Sequence, residues 1–213
     1  MNKGVFVTGI STEIGKTVAS AILTEALEAD YWKPVQSGDL DFSDTMKVQR
    51  WVRNSKTTFH PETYRLHTPM SPHASAEIDG VQIKMERFKL PTTDNFLIAE
   101  GAGGLLVPLN DRECIIDLIE HLGLPVVLVS RHYLGSINHT LLSIEALQRR
   151  NIPIAALIFN GAEHPTTESI IQKMSGIEAL ARIDEHEEIT PAIVQQAAKR
   201  LRNKLQALLE LNR

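Results

Sequence analysis

The sequence predicts an α/β fold, a single domain over residues 1–213 built as a doubly wound, mostly parallel β-sheet flanked by helices. Three observations carry this. Short apolar runs alternate with amphipathic stretches along the whole chain. The strand candidates are continuously apolar and β-branched, as in Pro125-Val126-Val127-Leu128-Val129-Ser130, which suits strands buried on both faces. A glycine loop joins the first strand to the first helix. The size agrees: 213 residues, 43% hydrophobic and 23% charged, are ordinary values for one domain with a sizeable core.

The first strand is Val5-Phe6-Val7, and a helical pattern starts at Gly15-Lys16-Thr17 and runs through Val18, Ala19, Ile22, Leu23, Ala26 and Leu27. Strand, glycine loop, Gly-Lys-Thr and helix are the parts of a phosphate-binding loop of the P-loop NTPase type. Its backbone N–H groups turn toward an anion, the helix start adds positive charge, Lys16 reaches the outer phosphates, and Thr17 can ligate Mg²⁺. The usual motif has four residues between its first glycine and Gly-Lys-[Ser/Thr]. Here five stand between Gly9 and Gly15, and the longer loop offers Thr12 and Glu13 to a second substrate.

Tyr31-Trp32-Lys33-Pro34-Val35 reads as a second strand with Gln36-Ser37-Gly38 at its C-terminal end, which places Lys33 and Ser37 where open α/β sheets bind ligands. Ser43 or Asp44 caps a helix over Thr45 to Arg53. Thr57 to Asp79 reads as a long functional loop with a short helix from about Pro72, and Val81 to Leu90 as another short helix. The plainer account of His73 is structural. Asn95 to Ala99 is a strand that runs into a glycine turn, Glu100-Gly101-Ala102-Gly103-Gly104, and a carboxylate at that point suits Mg²⁺ beside bound phosphates. A helix over Ile115 to Leu122 precedes the strand at 125–130. Gly135-Ser136 then opens a helix to about Arg150 and offers N–H groups to a carboxylate. A strand over Pro153 to Phe159 ends at Asn160-Gly161, where an asparagine either reads a base or makes the turn. Thr166 to Met174 reads as a helix and Ile177 to Ile183 as a weak strand. Pro191 to Leu211 is a long amphipathic helix with Ile193, Val194, Ala197, Leu201, Leu205 and Leu208 on its apolar face.

Composition narrows the function. A net charge of −4 without a long basic run argues against nucleic acid as the main partner. Cys114 is the only cysteine, so neither an intrachain disulfide nor a cysteine-based zinc cluster can form. No apolar stretch approaches the ~20 residues of a membrane span. The chain starts directly into a strand, without a signal peptide, so a reducing cytoplasm is expected.

Taken singly, each feature has a bland alternative. Taken together, GISTEIGKT, YWKPVQSG, Ser43-Asp44, SPHASA, EGAGGLLVPL, LGSINH and Phe159-Asn160 resemble dethiobiotin synthetase over roughly positions 1 to 161. That family also carries the extra residue in its phosphate loop. The resemblance implies a ligase of biotin synthesis in which 7,8-diaminononanoate takes up CO₂ as a carbamate, ATP phosphorylates it, and the neighbouring amine closes a cyclic urea. It implies Lys33 and Lys16 as catalytic cations. ATP binding falls to Glu13, Ile14, Gly15, Lys16, Thr17, Val18, Asp44, Glu100, Gly101, Ala102, Gly103, Asn160 and Gly161, and Mg²⁺ to Thr17, Asp44 and Glu100. Substrate contacts fall to Thr12, Lys33, Ser37 and the segment Leu134, Gly135, Ser136, Ile137 and Asn138. In the family that segment comes from the partner subunit, so a homodimer with shared sites is implied. Ser11 stands where the family often has aspartate. Ala181-Arg182-Ile183-Asp184 replaces a Gly-x-Ile-Pro-type turn around the base, which leaves a looser nucleotide preference open.

Two other readings compete. An amidoligase of the cobyrinate type would need a glutaminase domain, for which 213 residues leave no room. A partitioning-type nucleotide switch would carry an extra lysine early in the loop, and positions 9 to 15 contain none.

Overall fold

The computed structural model describes residues 3–210, with side chains placed to residue 205. Leu208 and Leu211, expected on the last helix, fall outside the described side chains and residues respectively. Seven parallel strands form the main sheet: β1 (Gly4–Gly9), β2 (Asp30–Trp32), β4 (Phe59–His60), β6 (Leu97–Gly104), β7 (Val126–Arg131), β8 (Ile154–Asn160) and β9 (Ala179–Ile183). Their spatial order is β4-β2-β6-β1-β7-β8-β9. A second, two-stranded parallel sheet pairs β3 (Val35–Ser37) with β5 (Tyr64–Leu66). The helices are α1 (Lys16–Leu27), α2 (Asp44–Trp51), α3 (Pro72–Ile78), α4 (Ile115–Leu122), α5 (Ser136–Arg149), α6 (Pro165–Ser175) and α7 (Pro191–Glu210).

The central strands have no polar face because both faces are covered. Phe6, Val7, Ile98, Ala99 and Val126 to Val129 are all buried. Helix α1 packs against α2 and α7 on one face, and α5 packs beside α6. Val194, Ala198, Leu201 and Leu205 bury the apolar stripe of α7, while Lys199, Arg200, Arg202 and Lys204 stay exposed. After β1 the chain moves outward past β6 to β2. It later returns through β6 and crosses β1 to β7. The direction of winding therefore reverses beside β1, and the carboxyl ends there open into a crevice.

Four expectations are corrected. The segment 31–35 is two strands, not one. Pro34 has no N–H to donate to a ladder, and its carbonyl instead accepts from the N–H groups of Thr63 and Tyr64, which turns β3 into the second sheet. The long loop over 57–79 contains β4 and β5. The glycines after Glu100 are not a turn: β6 continues through them to Gly104, and Gly101 is required because a Cβ there would lie 2.7 Å from the Phe6 ring. The helix expected over 81–90 is one 3₁₀ turn, Met85–Arg87. The expected mostly parallel sheet is found: every pairing described in the main sheet is parallel.

Candidate active site

The carboxyl ends of β1, β2, β6 and β8 open into a cavity of about 870 Å³. The phosphate loop forms its floor. Glu13 (φ 53) and Gly15 (φ 89) are both left-handed, the backbone geometry that curls the loop's N–H groups into an anion-binding nest at the start of α1. Gly15 cannot be replaced easily: a Cβ there would lie 2.2 Å from the Asn160 side-chain nitrogen. That same amide donates to the Ile14 carbonyl at 2.9 Å. The Lys16 ammonium is folded back onto the Ser11 carbonyl at 2.9 Å. Its pKa drops to about 8, first because it is buried and then because Lys33 repels it.

Strand register places the charged centre. Trp32 pairs with Ala99, so Lys33, just past the end of β2, stands beside Glu100, the next residue of β6. Lys33 Nζ donates to Glu100 Oε1 at 3.0 Å, to the Gly101 carbonyl at 3.1 Å, and lies 2.7 Å from Asp44 Oδ2. Burial alone would pull this ammonium toward neutrality, but Glu100 and Asp44 outweigh it and its pKa is raised. The Asp44 carboxyl is held at about 2, because Lys33 and then Lys47 overcome the cost of its burial. Asp44 reaches the site because Ser43 caps α2, its Oγ accepting from the Met46 N–H, while the Asp44 N–H donates to Gln36 Oε1.

Thr17 Oγ1 donates to Glu100 Oε1 at 2.9 Å, and Tyr31 OH donates to Glu100 Oε2 at 2.9 Å. The Tyr31 phenol is pushed well above its ordinary pKa by burial and by the Glu100 charge. Glu100 and Asp44 converge on Lys33 Nζ and Thr17 bonds to Glu100, so the three bring hard oxygens to one end of the cavity. Among the described residues no group of three His, Cys, Asp or Glu side chains could hold a metal alone. A donor set of two carboxylates and a hydroxyl, completed by substrate phosphates, fits Mg²⁺, which seldom uses an all-protein cage.

The remaining expected residues divide. Thr12, Glu13, Ile14, Val18, Ser37, Ala102, Gly103, Asn160 and Gly161 line the same cavity. Gly101 contributes only its carbonyl, to Lys33. The segment Leu134, Gly135, Ser136, Ile137 and Asn138 does not line the cavity of the single chain. Leu134 is fully exposed and Ile137 is also exposed, while Ser136 is buried. At the far end of the cavity Ile183, Asp184, Glu185, His186 and Ile189 stand beside Asn160. Arg182 faces away, its guanidinium spent on both oxygens of Glu168.

Among the lining or supporting residues that escape sequence reasoning are Tyr31, Gln36, Lys47 and Arg131. Lys47, 3.2 Å from Asp44 Oδ1, was discoverable from its i,i+3 spacing on a helix. Arg131 pairs with Glu185, 54 residues away, and no local signal announces that contact.

Comparison with known proteins adds the following. A family model described as an AAA domain matches residues 3–192. A protein of Christiangramia forsetii named ATP-dependent dethiobiotin synthetase BioD is 53% identical over 96% of this chain and 99% of its own length. The chain belongs to the dethiobiotin synthetase family. Proteins of the same name from Cytophaga hutchinsonii and Brucella anthropi are each 47% identical, over 93% and 92% of this chain and 97% and 93% of their own. Among solved structures, the cell division ATPase MinD of Pyrococcus furiosus superposes with a TM-score of 0.63 at 13% identity, covering 98% of this chain and 100% of that one. A ParA family ATPase from Chlorobium tepidum gives 0.57 at 14% identity over 99% and 96%. At such identities the likeness is one of fold alone. It places this dethiobiotin synthetase family member on a P-loop NTPase scaffold.

Proposed function

We propose that this cavity carboxylates 7,8-diaminononanoate with CO₂ and closes the ring to dethiobiotin through a carbamate and a carbamic-phosphate anhydride, with release of ADP and phosphate. As a dethiobiotin synthetase family member, the chain is an ATP-dependent ligase that forms C–N bonds in biotin synthesis. The observation that carries the finer reading is the position of Lys33. Its buried ammonium is held by Glu100 and Asp44, and Lys33 lines the same cavity as Thr17, Thr12 and Ser37.

Two anions must meet here, the carbamate and the γ-phosphate. Lys33 stays protonated at working pH, so it acts as a fixed positive charge and not as a base. Lys16 leaves the Ser11 carbonyl for the outer phosphates and regains full charge beside them. The nest from Glu13 to Gly15, with Val18 at the helix start, cradles the phosphates, and Ala102 and Gly103 let β6 approach closely. Thr17, Asp44 and Glu100 would hold Mg²⁺, which when bound neutralises charge on the transferred phosphoryl group. Thr12 and Ser37, which line the cavity, orient the carbamate and the second amine; among the described residues the buried Ser37 Oγ has no hydrogen-bond partner. The carbamate oxygen attacks the γ-phosphorus and ADP leaves. The second amine then attacks the carbonyl carbon, and phosphate departs with that oxygen. Asn160 and Gly161 frame the base.

The chain acts as one domain, in the cytoplasm, as a homodimer in which Leu134 to Asn138 of one subunit hold the far carboxylate of substrate in the other, without nucleic-acid or membrane partners. The exposed apolar side chains Tyr133, Leu134, Ile137 and Leu142 support the dimer. Among the described residues no helix is long and apolar enough to cross a membrane. Isotope transfer tests the intermediates. With freshly ¹⁸O-labelled CO₂, one label oxygen should appear in the released phosphate. Unlabelled phosphate would exclude attack by a carbamate oxygen.

A further inference from the structure

The two oxygens of Glu100 have different neighbours. Oε1 meets Thr17 and Lys33, both of which line the cavity. Among the described residues Oε2 meets only Tyr31, which lies on β2 behind the cavity wall, and both Tyr31 and Glu100 have no exposed surface. Tyr31 has little freedom to follow a moving carboxylate. Its backbone pairs with Ile98 on one side and Phe59 on the other, and its ring packs at 6.1 Å on the Phe59 ring.

We propose that Tyr31 is a positioning residue that sets the metal preference of the site, holding Glu100 Oε2 from behind so that a single carboxylate oxygen, Oε1, faces the ion. Mg²⁺ takes single oxygens at short, octahedral distances, whereas Ca²⁺ takes more oxygens and often both from one carboxylate. Turning both Glu100 oxygens to an ion breaks the Tyr31 bond and leaves a buried hydroxyl without a partner. The arrangement therefore opposes Ca²⁺ more than Mg²⁺. The inference rests on the Mg²⁺ reading above.

The test measures ADP affinity calorimetrically for the full-length protein in EDTA, in Mg²⁺ and in Ca²⁺, for the wild type and Tyr31→Phe. The wild type should gain more affinity from Mg²⁺ than from Ca²⁺. Removing an outer partner of a ligand changes metal affinity by roughly 10-fold or more, so that preference should shrink by about tenfold in Tyr31→Phe. A lower Tm with an unchanged preference would reduce Tyr31 to a packing role and overturn the proposal. Equal wild-type affinities in EDTA and Mg²⁺ would instead overturn the metal reading beneath it. Should Tyr31→Phe not fold, ¹⁹F spectra of 3-fluorotyrosine-labelled wild type decide the matter, with signals assigned by Tyr64→Phe and Tyr133→Phe. The Tyr31 signal should hold its position when Mg²⁺ and ADP are added, and a shift to that of an unbonded phenol would overturn the proposal.

Discussion

The Asn160 side-chain amide donates to the Ile14 carbonyl at 2.9 Å, tying the end of β8 to the phosphate loop across 146 residues of sequence. Asn160 thus braces the loop with its nitrogen, and in the proposed reading its Oδ1 faces the nucleotide base. Gly15 lies directly beneath it, left-handed and without room for a Cβ. Asn160→Ala should weaken ADP binding by about 1–2 kcal/mol, roughly 5- to 30-fold, without altering diamine affinity. Gly15→Ala should cost at least as much. Titration of ADP against each variant checks this, and wild-type affinity in both would remove the brace from the account.

Lys33→Ala should leave ADP affinity within a few-fold of wild type while turnover falls by about 100-fold or more, because the side chain serves the carbamate side and the transferred phosphoryl group. It should also be destabilised by roughly 3–5 kcal/mol, since Glu100 and Asp44 would face each other without their shared cation. Denaturant unfolding and ADP titration separate the two effects. Loss of ADP binding with normal single-turnover chemistry would contradict this role.

The lowered pKa of Lys16, about 8 in the free protein, gives ADP binding a pH dependence. Phosphate favours the charged ammonium, so binding raises this pKa and takes up a proton once the free group has lost its own. Affinity should be flat below pH 8 and fall above it, by up to about tenfold per pH unit. Lys16→Met should bind weakly at every pH and lose that slope. Calorimetry in buffers of different ionisation heats reads the proton uptake directly, and none at pH 9 would contradict the assignment.

The proposed sharing of sites across a dimer predicts complementation. Asn138→Ala should weaken diamine binding, and Lys33→Ala should be inactive. After equal amounts are unfolded and refolded together, about a quarter of wild-type turnover should return from mixed dimers, because half of the dimers are mixed and each contains one site of two with both native residues. No recovery, or unaltered diamine affinity in Asn138→Ala, would confine the site to one chain.

The parts of the fold legible in the sequence were those encoded locally. Helix α4 runs over the expected Ile115–Leu122, Ser43 caps α2, and the strand–glycine–helix start of the chain is a phosphate loop. Lys33 was legible as a strand-end residue near a ligand, since position along a strand is a local property, whereas Glu100, expected at a strand end, lies within β6. Their bond to one another depends on the register of β2 against β6, which no window of sequence contains. The same holds for Tyr31 on Glu100, for Arg131 on Glu185, and for β3, whose partner β5 lies beyond a helix and another strand. The glycines of 101–104 misled for a different reason. Glycine marks both turns and close backbone approach, and only the Phe6 ring against Gly101 distinguishes them.

The central claim is tested most directly by mass spectrometry of the products formed from diaminononanoate, bicarbonate, ATP and Mg²⁺, with each component omitted in turn. The account predicts a product that has gained one carbonyl carbon and a closed ring, formed only when all four are present, with one ADP per product. ATP hydrolysis at the same rate with or without the diamine, and no such product, would contradict it.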